Sequence, residues 1–148
     1  MARNRRTIAC SPSDVFAVFA DGWLFPGRVV GASRMRSVDD DWPAVGSAIH
    51  HSFGVWPMLI NDDTTVDVWD PPRAMTITPK GWPIGEARVE LEVEPHRRGC
   101  RVVLREHPVS GPSTWIPSVL MEPAIYLRNI ETLRRLGYLA EGHARRPR

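Results

Sequence analysis

The middle of the chain alternates short apolar and polar stretches. Segments separated by Pro, Gly, Asn and Asp predict antiparallel strands at about 32–39, 47–55, 64–69, 73–79, 86–94 and 100–107. The clearest runs from Glu86 to Glu94, where every second residue is apolar and the residues between are charged. Side chains alternate between the two faces of a strand, so this pattern predicts a sheet with one buried face and one wet face.

A different pattern occupies the end of the chain. From residue 112 to 142, apolar residues recur at spacings of three and four, which predicts an amphipathic helix over 122–141. We expect Leu127, Ile130 and Leu133 to be buried, and Arg128 and Arg135 to be exposed. Proline lacks an N–H and fits the first helical position, so the helix is expected to begin or kink near residue 122, before Pro123.

The start of the chain predicts a strand over 5–10 and then a short helix. Ser11 is suited to the N-cap, Pro12 to the first helical position, and the helix is expected to run to about Ala20. The fold class is therefore α+β: a curved antiparallel sheet of six to seven strands wrapped around a long C-terminal helix, with one or two short helices after the first strand. Such a sheet leaves room for a cavity beside the helix.

Length and charge restrict the possible classes of protein. The 148 residues, 43% of them hydrophobic, fit a single domain over 1–148, with residues 1–4 and 142–148 expected to be disordered tails. The net charge of +2 includes six arginines near the two ends (Arg3, Arg5, Arg6, Arg145, Arg146, Arg148). The remaining 13 basic and 17 acidic residues carry a net −4, which disfavours a nucleic-acid groove.

Location and cofactors are predicted from missing signals. The two cysteines form no CxxC pair, and no apolar run approaches the ~18 residues of a membrane span, so we expect a cytoplasmic protein without stable membrane insertion. His50 and His51 are neighbours on one predicted strand and must point to opposite faces, so no metal site is expected. The chain has no phosphate-binding glycine motif and no GxSxG, so no cofactor and no serine nucleophile are predicted.

The order of elements and several short motifs resemble the START-related SRPBCC superfamily, which has the helix-grip fold. Within that superfamily the chain is similar to actinobacterial proteins of the polyketide cyclase/dehydrase and lipid transport branch, over about residues 5–141. The motifs are Ser11-Pro12 before Asp14-Val15-Phe16, Val30 to Ser33, Trp42 to Ser47, Asp70-Pro71-Pro72-Arg73, and Arg128-Asn129 before Glu131-Thr132-Leu133. The resemblance implies a hydrophobic ligand such as a polyketide, lipid or aromatic compound.

A few polar residues share predicted strand or helix faces with apolar ones. His51, Glu106 and Tyr126 are candidates for acid–base chemistry, because burial shifts the pKa values of such groups. The predicted ligand contacts are His51, Phe53, Trp56, Trp82, Leu91, Leu104, Glu106, Leu120, Tyr126, Leu127 and Ile130. Glu106 is expected either to have a raised pKa or to pair with His51 or with an arginine such as Arg34 or Arg36.

Three functions remain open at this stage. The first is the binding of a lipophilic small molecule between the sheet and the C-terminal helix. The second is a cyclase or dehydratase that uses Glu106, His51 and Tyr126 in the same cavity. The third is a protein-interaction module that uses the aromatic segment from Trp23 to Pro26. For all three, the chain is expected to be a monomer or homodimer. One cavity suits a carrier and an enzyme equally well.

Overall fold

The structure is a computed structural model that describes residues 2–24, 32–53, 60–81 and 85–146. It contains one antiparallel sheet of seven strands in the order β1-β7-β6-β5-β4-β3-β2. The strands are β1 (Ala2–Ile8), β2 (Ala32–Val38), β3 (Ala48–Phe53), β4 (Ile60–Asp70), β5 (Ala74–Gly81), β6 (Gly85–His96) and β7 (Gly99–Ser110). Helix α1 (Pro12–Ala20) follows β1, and the long helix α2 (Ser118–Ala144) ends the fold. Short 3₁₀ turns lie at Gly22–Leu24 and Pro112–Trp115. The predicted fold class is confirmed.

Helix α1 begins as the sequence predicts. The Ser11 hydroxyl accepts a hydrogen bond from the Asp14 N–H, and the Asp14 carboxylate accepts one from the Ser11 N–H. This reciprocal capping box satisfies two N–H groups that a helix start leaves without partners. The apolar face of α1 enters the core through Phe16, whose ring lies 5.3 Å from that of Trp69 on β4.

Cross-strand register defines the inner face of the sheet, because residues directly opposite each other in an antiparallel pair point to the same side. Leu104 on β7 lies opposite Leu91 on β6, which in turn lies opposite Met75 on β5. All three side chains are buried. The same face carries the two helices, and its apolar residues join those of α1 in one core.

Helix α2 is longer than predicted and turned about its axis. It begins at Ser118 and continues through Pro123. Leu133 is buried as expected, but Leu127 and Ile130 are 67% and 45% exposed, so their predicted burial is wrong. The buried stripe consists of Asn129, Leu133, Leu136, Gly137 and Ala140.

The neighbours of α2 explain this rotation. The helix packs mainly against β1 and α1, at one side of the sheet, and has little contact with the more central strands. Apolar residues on its N-terminal half that turn away from these two elements therefore stay exposed, among them Leu120 and Leu127. The apolar spacing extends around more than one side of this helix, and only the packing partner selects the buried side.

The ends of the chain are more ordered than predicted. Residues 2–4, expected to be a disordered tail, belong to β1, and residues 142–144 belong to α2. The ends of β1 and α2 are joined by a hydrogen bond, since the Ala9 N–H donates to the Glu141 carboxylate at 3.1 Å. The arginines near the N-terminus are consequently held on an edge strand.

Candidate functional site

Glu106 is held by two residues of α2. It lies on the inner face of β7, opposite Val89, and is 6% exposed. Its carboxylate accepts hydrogen bonds from the Arg128 guanidinium and from the Asn129 amide, the latter at 2.9 Å. An ionised carboxylate is costly to bury alone, and these donors offset that cost.

This ion pair bears on two predictions. Glu106 was expected to have a raised pKa or to pair with His51 or with an arginine such as Arg34 or Arg36; among the described residues its charged partner is an arginine, Arg128. Arg128 was expected to face water; instead its head group reaches the buried carboxylate while the side chain stays 39% exposed. Of the two outcomes foreseen for Glu106, the ion pair favours a structural role, in which it fastens α2 to β7.

A second polar group lies on β3 and β4, which are four and three strand positions from β7. His51 is fully buried and lies opposite Asp62 in the β3–β4 register. The His51 Nε2 lies 2.7 Å from the Thr64 hydroxyl. Asp62 is 4% exposed, and its Oδ1 accepts from the Asp63 N–H at 2.7 Å. The Lys80 backbone N–H also acts on this carboxyl, while Oδ2 makes no hydrogen bond of ordinary geometry with any described residue. We call His51, Asp62 and Thr64 the inner polar cluster.

Burial shifts both titratable groups of the inner polar cluster toward their neutral forms. Loss of solvation lowers the pKa of His51 to about 4. Loss of solvation also raises the pKa of Asp62 to about 6. A neutral imidazole and a carboxyl group that gains and loses a proton near neutral pH therefore lie on adjacent strands, an arrangement that suits hydrogen bonding to a ligand or proton transfer.

His50 lies on the opposite face, as predicted for a neighbour of His51. Its two ring nitrogens lie 2.6 Å from an Asp63 carboxylate oxygen and 3.0 Å from an Asp39 carboxylate oxygen. The hydrogen bond to Asp63, followed by that to Asp39, raises the pKa of His50. This outer cluster ties the β2–β3 connection to the sheet and does not reach the inner face.

The predicted ligand contacts lie in several places. Leu91 and Leu104 are buried on the inner face with Glu106, whereas Leu120, Tyr126, Leu127 and Ile130 are exposed on α2. Trp56 and Trp82 lie outside the described residues, as does the side chain of Phe53.

The three predicted acid–base candidates are not brought together. Tyr126 lines a groove beside β1, and β1 is five strand positions from His51 on β3. Glu106 is engaged by α2 and lies four strand positions from His51.

Sequence reasoning missed Asp62 because the predicted strand began at residue 64. A strand from Ile60 extends the alternation backward through Thr64 to Asp62 and places both side chains on the face of Val66. Asn129 was also missed, since it was assigned to the water-facing side of the helix.

A groove lies beside β1. It has a volume of about 360 Å³ and is lined by Arg3, Asn4, Arg5, Arg6, Tyr126, Ile130 and Leu133. It follows the free edge of the sheet and is separate from the inner polar cluster.

Comparison with known families gives a match over residues 2–140 to the model described as polyketide cyclase / dehydrase and lipid transport. The chain belongs to this family. Membership and fold suggest a role in binding a hydrophobic ligand. No curated protein matches the chain in sequence.

Solved structures share the fold at low sequence identity. A protein from Chromobacterium violaceum superposes with a TM-score of 0.70 at 17% identity, covering 94% of this chain and 96% of that chain. A protein of unknown function from Staphylococcus aureus reaches 0.76 at 9% identity, covering 98% and 95%. DynU16, from the dynemicin biosynthetic locus, reaches 0.68 at 14% identity, covering 99% of this chain and 49% of that chain. These likenesses establish the fold of this family member.

Among residues 2–24, 32–53, 60–81 and 85–146, no helix has the length and apolar character needed to cross a bilayer. Across the same ranges, no three His, Cys, Asp or Glu side chains are grouped so that they could hold a metal ion.

Proposed function

We propose that this protein binds a lipophilic small molecule that carries an oxygen function, between the inner face of the sheet and α2. Family membership supports the hydrophobic class of ligand. Residues that support an apolar site include Met75, Ile77, Leu91 and Leu104, which lie together on the inner face. An apolar surface with a few placed polar groups is the usual composition of such a site.

The observation that carries the oxygen requirement is Asp62. The Lys80 backbone N–H acts on this carboxyl as a hydrogen-bond donor, but its buried Oδ2 makes no hydrogen bond of ordinary geometry with any described residue, and buried polar atoms are costly to leave poorly satisfied. Below about pH 6 this carboxyl is protonated and donates to a ligand carbonyl or hydroxyl. Above that pH it accepts from a ligand hydroxyl. A polyketide or an oxygenated lipid offers such groups, whereas a plain hydrocarbon does not.

A second function for the same site is acid–base catalysis of the cyclase or dehydratase type. It is supported by the pair of Asp62 and His51, whose shifted pKa values leave both groups neutral at mildly acidic pH. Such a pair can deliver and remove protons on an enolisable substrate. In this version Asp62 and His51 carry the chemistry, and Glu106 keeps α2 in place.

Binding is tested first without choosing a ligand. The protein is purified under native conditions, and native mass spectrometry together with solvent extraction identifies any bound compound. A saturable, oxygen-containing lipophilic ligand is the expected result. If neither extraction nor a screen of lipids and polyketides gives saturable binding, the proposal fails.

The role of Asp62 is tested with matched ligands and variants. Displacement of a fluorescent apolar probe is measured with dodecanol and with dodecane, which differ by one hydroxyl group. Asp62→Asn is expected to change dodecanol affinity at least fivefold and to leave dodecane affinity within twofold. Asp63→Asn is the control, since the Asp63 carboxylate is next to Asp62 in the sequence but lies on the outer face beside His50. Equal effects of both variants on dodecanol would contradict the role of Asp62.

Catalysis is distinguished from binding by following a bound polyketide over time. Conversion that is lost in both Asp62→Asn and His51→Gln, with affinity retained, supports the enzyme. An unchanged ligand after prolonged incubation with the wild-type protein supports the carrier.

A further inference from the structure

The free edge of β1 and the flank of α2 form one continuous groove. Strand β1 is terminal in the sheet order and pairs only with β7 among the described strands. Its residues Arg3 to Arg6 line one wall of the groove, and Tyr126, Ile130 and Leu133 of α2 line the other. An unpaired strand edge presents N–H and C=O groups that are ready to pair with another extended chain. The groove thus combines a backbone template with an apolar wall.

The charges beside this edge are unbalanced. Arg3, Arg5 and Arg6 are exposed, and none forms an ion pair or side-chain hydrogen bond with any described residue. Arg6 lies across α2 at Gly137, where a Cβ atom would stand 3.3 Å from its Nε. Three guanidinium groups without acidic partners favour an acidic occupant.

Neighbouring strands show how the outer face of this sheet balances charge. On β6 and β7, glutamates lie beside arginines: Glu94 is opposite Arg101, and Glu92 forms a 2.8 Å ion pair with Arg105. Strand β1 continues the basic surface, because Arg3 lies directly opposite Arg105. An additional strand beyond β1 would restore the alternation of acidic and basic strands if it carried carboxylates on its outer side.

The inner side of such a strand would meet apolar surface and a buried acceptor. Tyr126 and Ile130 are 47% and 45% exposed beside the edge. Asn4 donates to the Tyr126 carbonyl at 3.0 Å, while its Oδ1 is buried without a hydrogen-bond partner among the described residues. An Oδ1 acceptor matches an N–H donor of a peptide and does not match a phosphodiester, whose charged oxygens only accept.

We propose that the β1 edge binds an extended acidic peptide segment, which adds to the sheet as an eighth strand with carboxylates toward Arg3 and Arg5 and apolar side chains toward Tyr126 and Ile130. This interaction is independent of the small-molecule function proposed above. The lining from Arg3 to Arg6 spans about 13 Å at ~3.3 Å per residue, so a segment of roughly four to six residues fills it.

A second copy of this chain is a poor occupant of the same edge. Antiparallel pairing of two β1 edges would bring the two arginine-rich strands against each other, and like charges directly opposite are destabilising in a sheet. The partner is therefore a different acidic segment.

The test uses a fluorescein-labelled peptide, Val-Glu-Leu-Glu-Val-Glu, whose alternation matches the proposed occupant. Fluorescence anisotropy is expected to show saturable binding that weakens as salt rises. The double variant Arg3→Glu/Arg5→Glu is expected to lower affinity at least tenfold. Arg98→Glu, in the exposed β6–β7 turn, is the charge control and is expected to change affinity less than twofold.

Three further measurements separate strand addition from charge attraction alone. The same peptide with alternate backbone nitrogens methylated keeps its side chains but cannot pair, and it is expected to lose at least tenfold in affinity. Binding of the unmodified peptide is expected to slow hydrogen exchange of the β1 amides. Ile130→Asn, a neutral change at an exposed position that leaves the arginines in place, is also expected to weaken binding at least fivefold.

Several outcomes overturn the proposal. They are no saturable binding, equal binding of the methylated peptide, or an Arg98→Glu effect as large as that of the double variant. Tighter binding of a single-stranded oligonucleotide or of phosphatidylglycerol vesicles through Arg3 and Arg5 would assign the edge to a different class of partner and would also overturn it. Circular dichroism verifies that each variant is folded, and Ile130→Asn decides the result if the double variant is not.

Discussion

Replacing Asp62 by Asn should change stability in a strongly pH-dependent way. Burial raises the pKa of Asp62 from 3.8 to about 6. Since one pKa unit corresponds to ~1.4 kcal/mol, ionised Asp62 destabilises the folded state by ~3 kcal/mol above pH 6. The folded state binds the proton more tightly, so this destabilisation is absent well below pH 4, grows as the pH rises from about 4 to 6, and is constant above that. At 4% exposure, little solvent screening reduces the effect.

His51 produces the opposite dependence. Burial lowers its pKa from 6.5 to about 4, so the unfolded state binds the proton more tightly between these values. This group destabilises the folded state by ~3 kcal/mol at and below pH 4 and has no effect above pH 7. Between pH 4 and 6 the two contributions change in opposite directions, so they largely cancel in the stability of the wild-type protein.

The assay is urea denaturation of wild type, Asp62→Asn and His51→Gln at intervals from pH 4 to 8. Asp62→Asn should gain up to ~3 kcal/mol over wild type at pH 7 relative to its difference at pH 4, or ~6–12 °C in Tm for a chain of this size. For His51→Gln the pH dependence is reversed: its unfolding free energy should exceed that of wild type by a similar amount at pH 4, compared with the difference at pH 7. A difference between Asp62→Asn and wild type that stays constant within ~0.5 kcal/mol across this range would show that Asp62 is solvated and would refute the description of the inner polar cluster.

Three further predictions concern α2 and the outer face. Leu133→Ala should cost ~2–5 kcal/mol of unfolding free energy, whereas Leu127→Ala on the exposed side should cost less than ~0.5 kcal/mol; comparable losses would contradict the observed rotation of the helix. Arg128→Ala should lower the unfolding free energy by ~1–3 kcal/mol, because it leaves the Glu106 carboxylate with only an amide donor, and Glu106→Gln should lower it less. Chemical denaturation of both variants checks this. Wild type should be more stable than His50→Gln, with the full difference present below pH 6.5 and lost as the pH rises through the raised pKa of folded His50. Thermal melts of both proteins over a series of pH values check this. If the difference is not lost at high pH, charged His50 does not link its two aspartates.

Local signals predicted the elements of this fold well. The Ser11-Pro12 start of α1 depends on a capping box within four residues, and the alternation around Leu91 depends only on strand geometry. Because neither feature needs a distant partner, both were accessible from the sequence. The same holds for the separation of His50 and His51 onto opposite faces of β3.

Tertiary packing decided which face of α2 is buried and how the polar residues are paired. Apolar residues surround much of this helix, so the burial of Leu133 and the exposure of Leu127 follow from its docking against β1 and α1. The partner of Glu106 comes from an element 22 residues away along the chain, through Arg128. Asp62 meets His51 only through the register of β3 and β4. A sequence specifies local backbone preferences residue by residue, whereas these pairings depend on how separate elements meet, and that is set by the free energy of the whole packed chain.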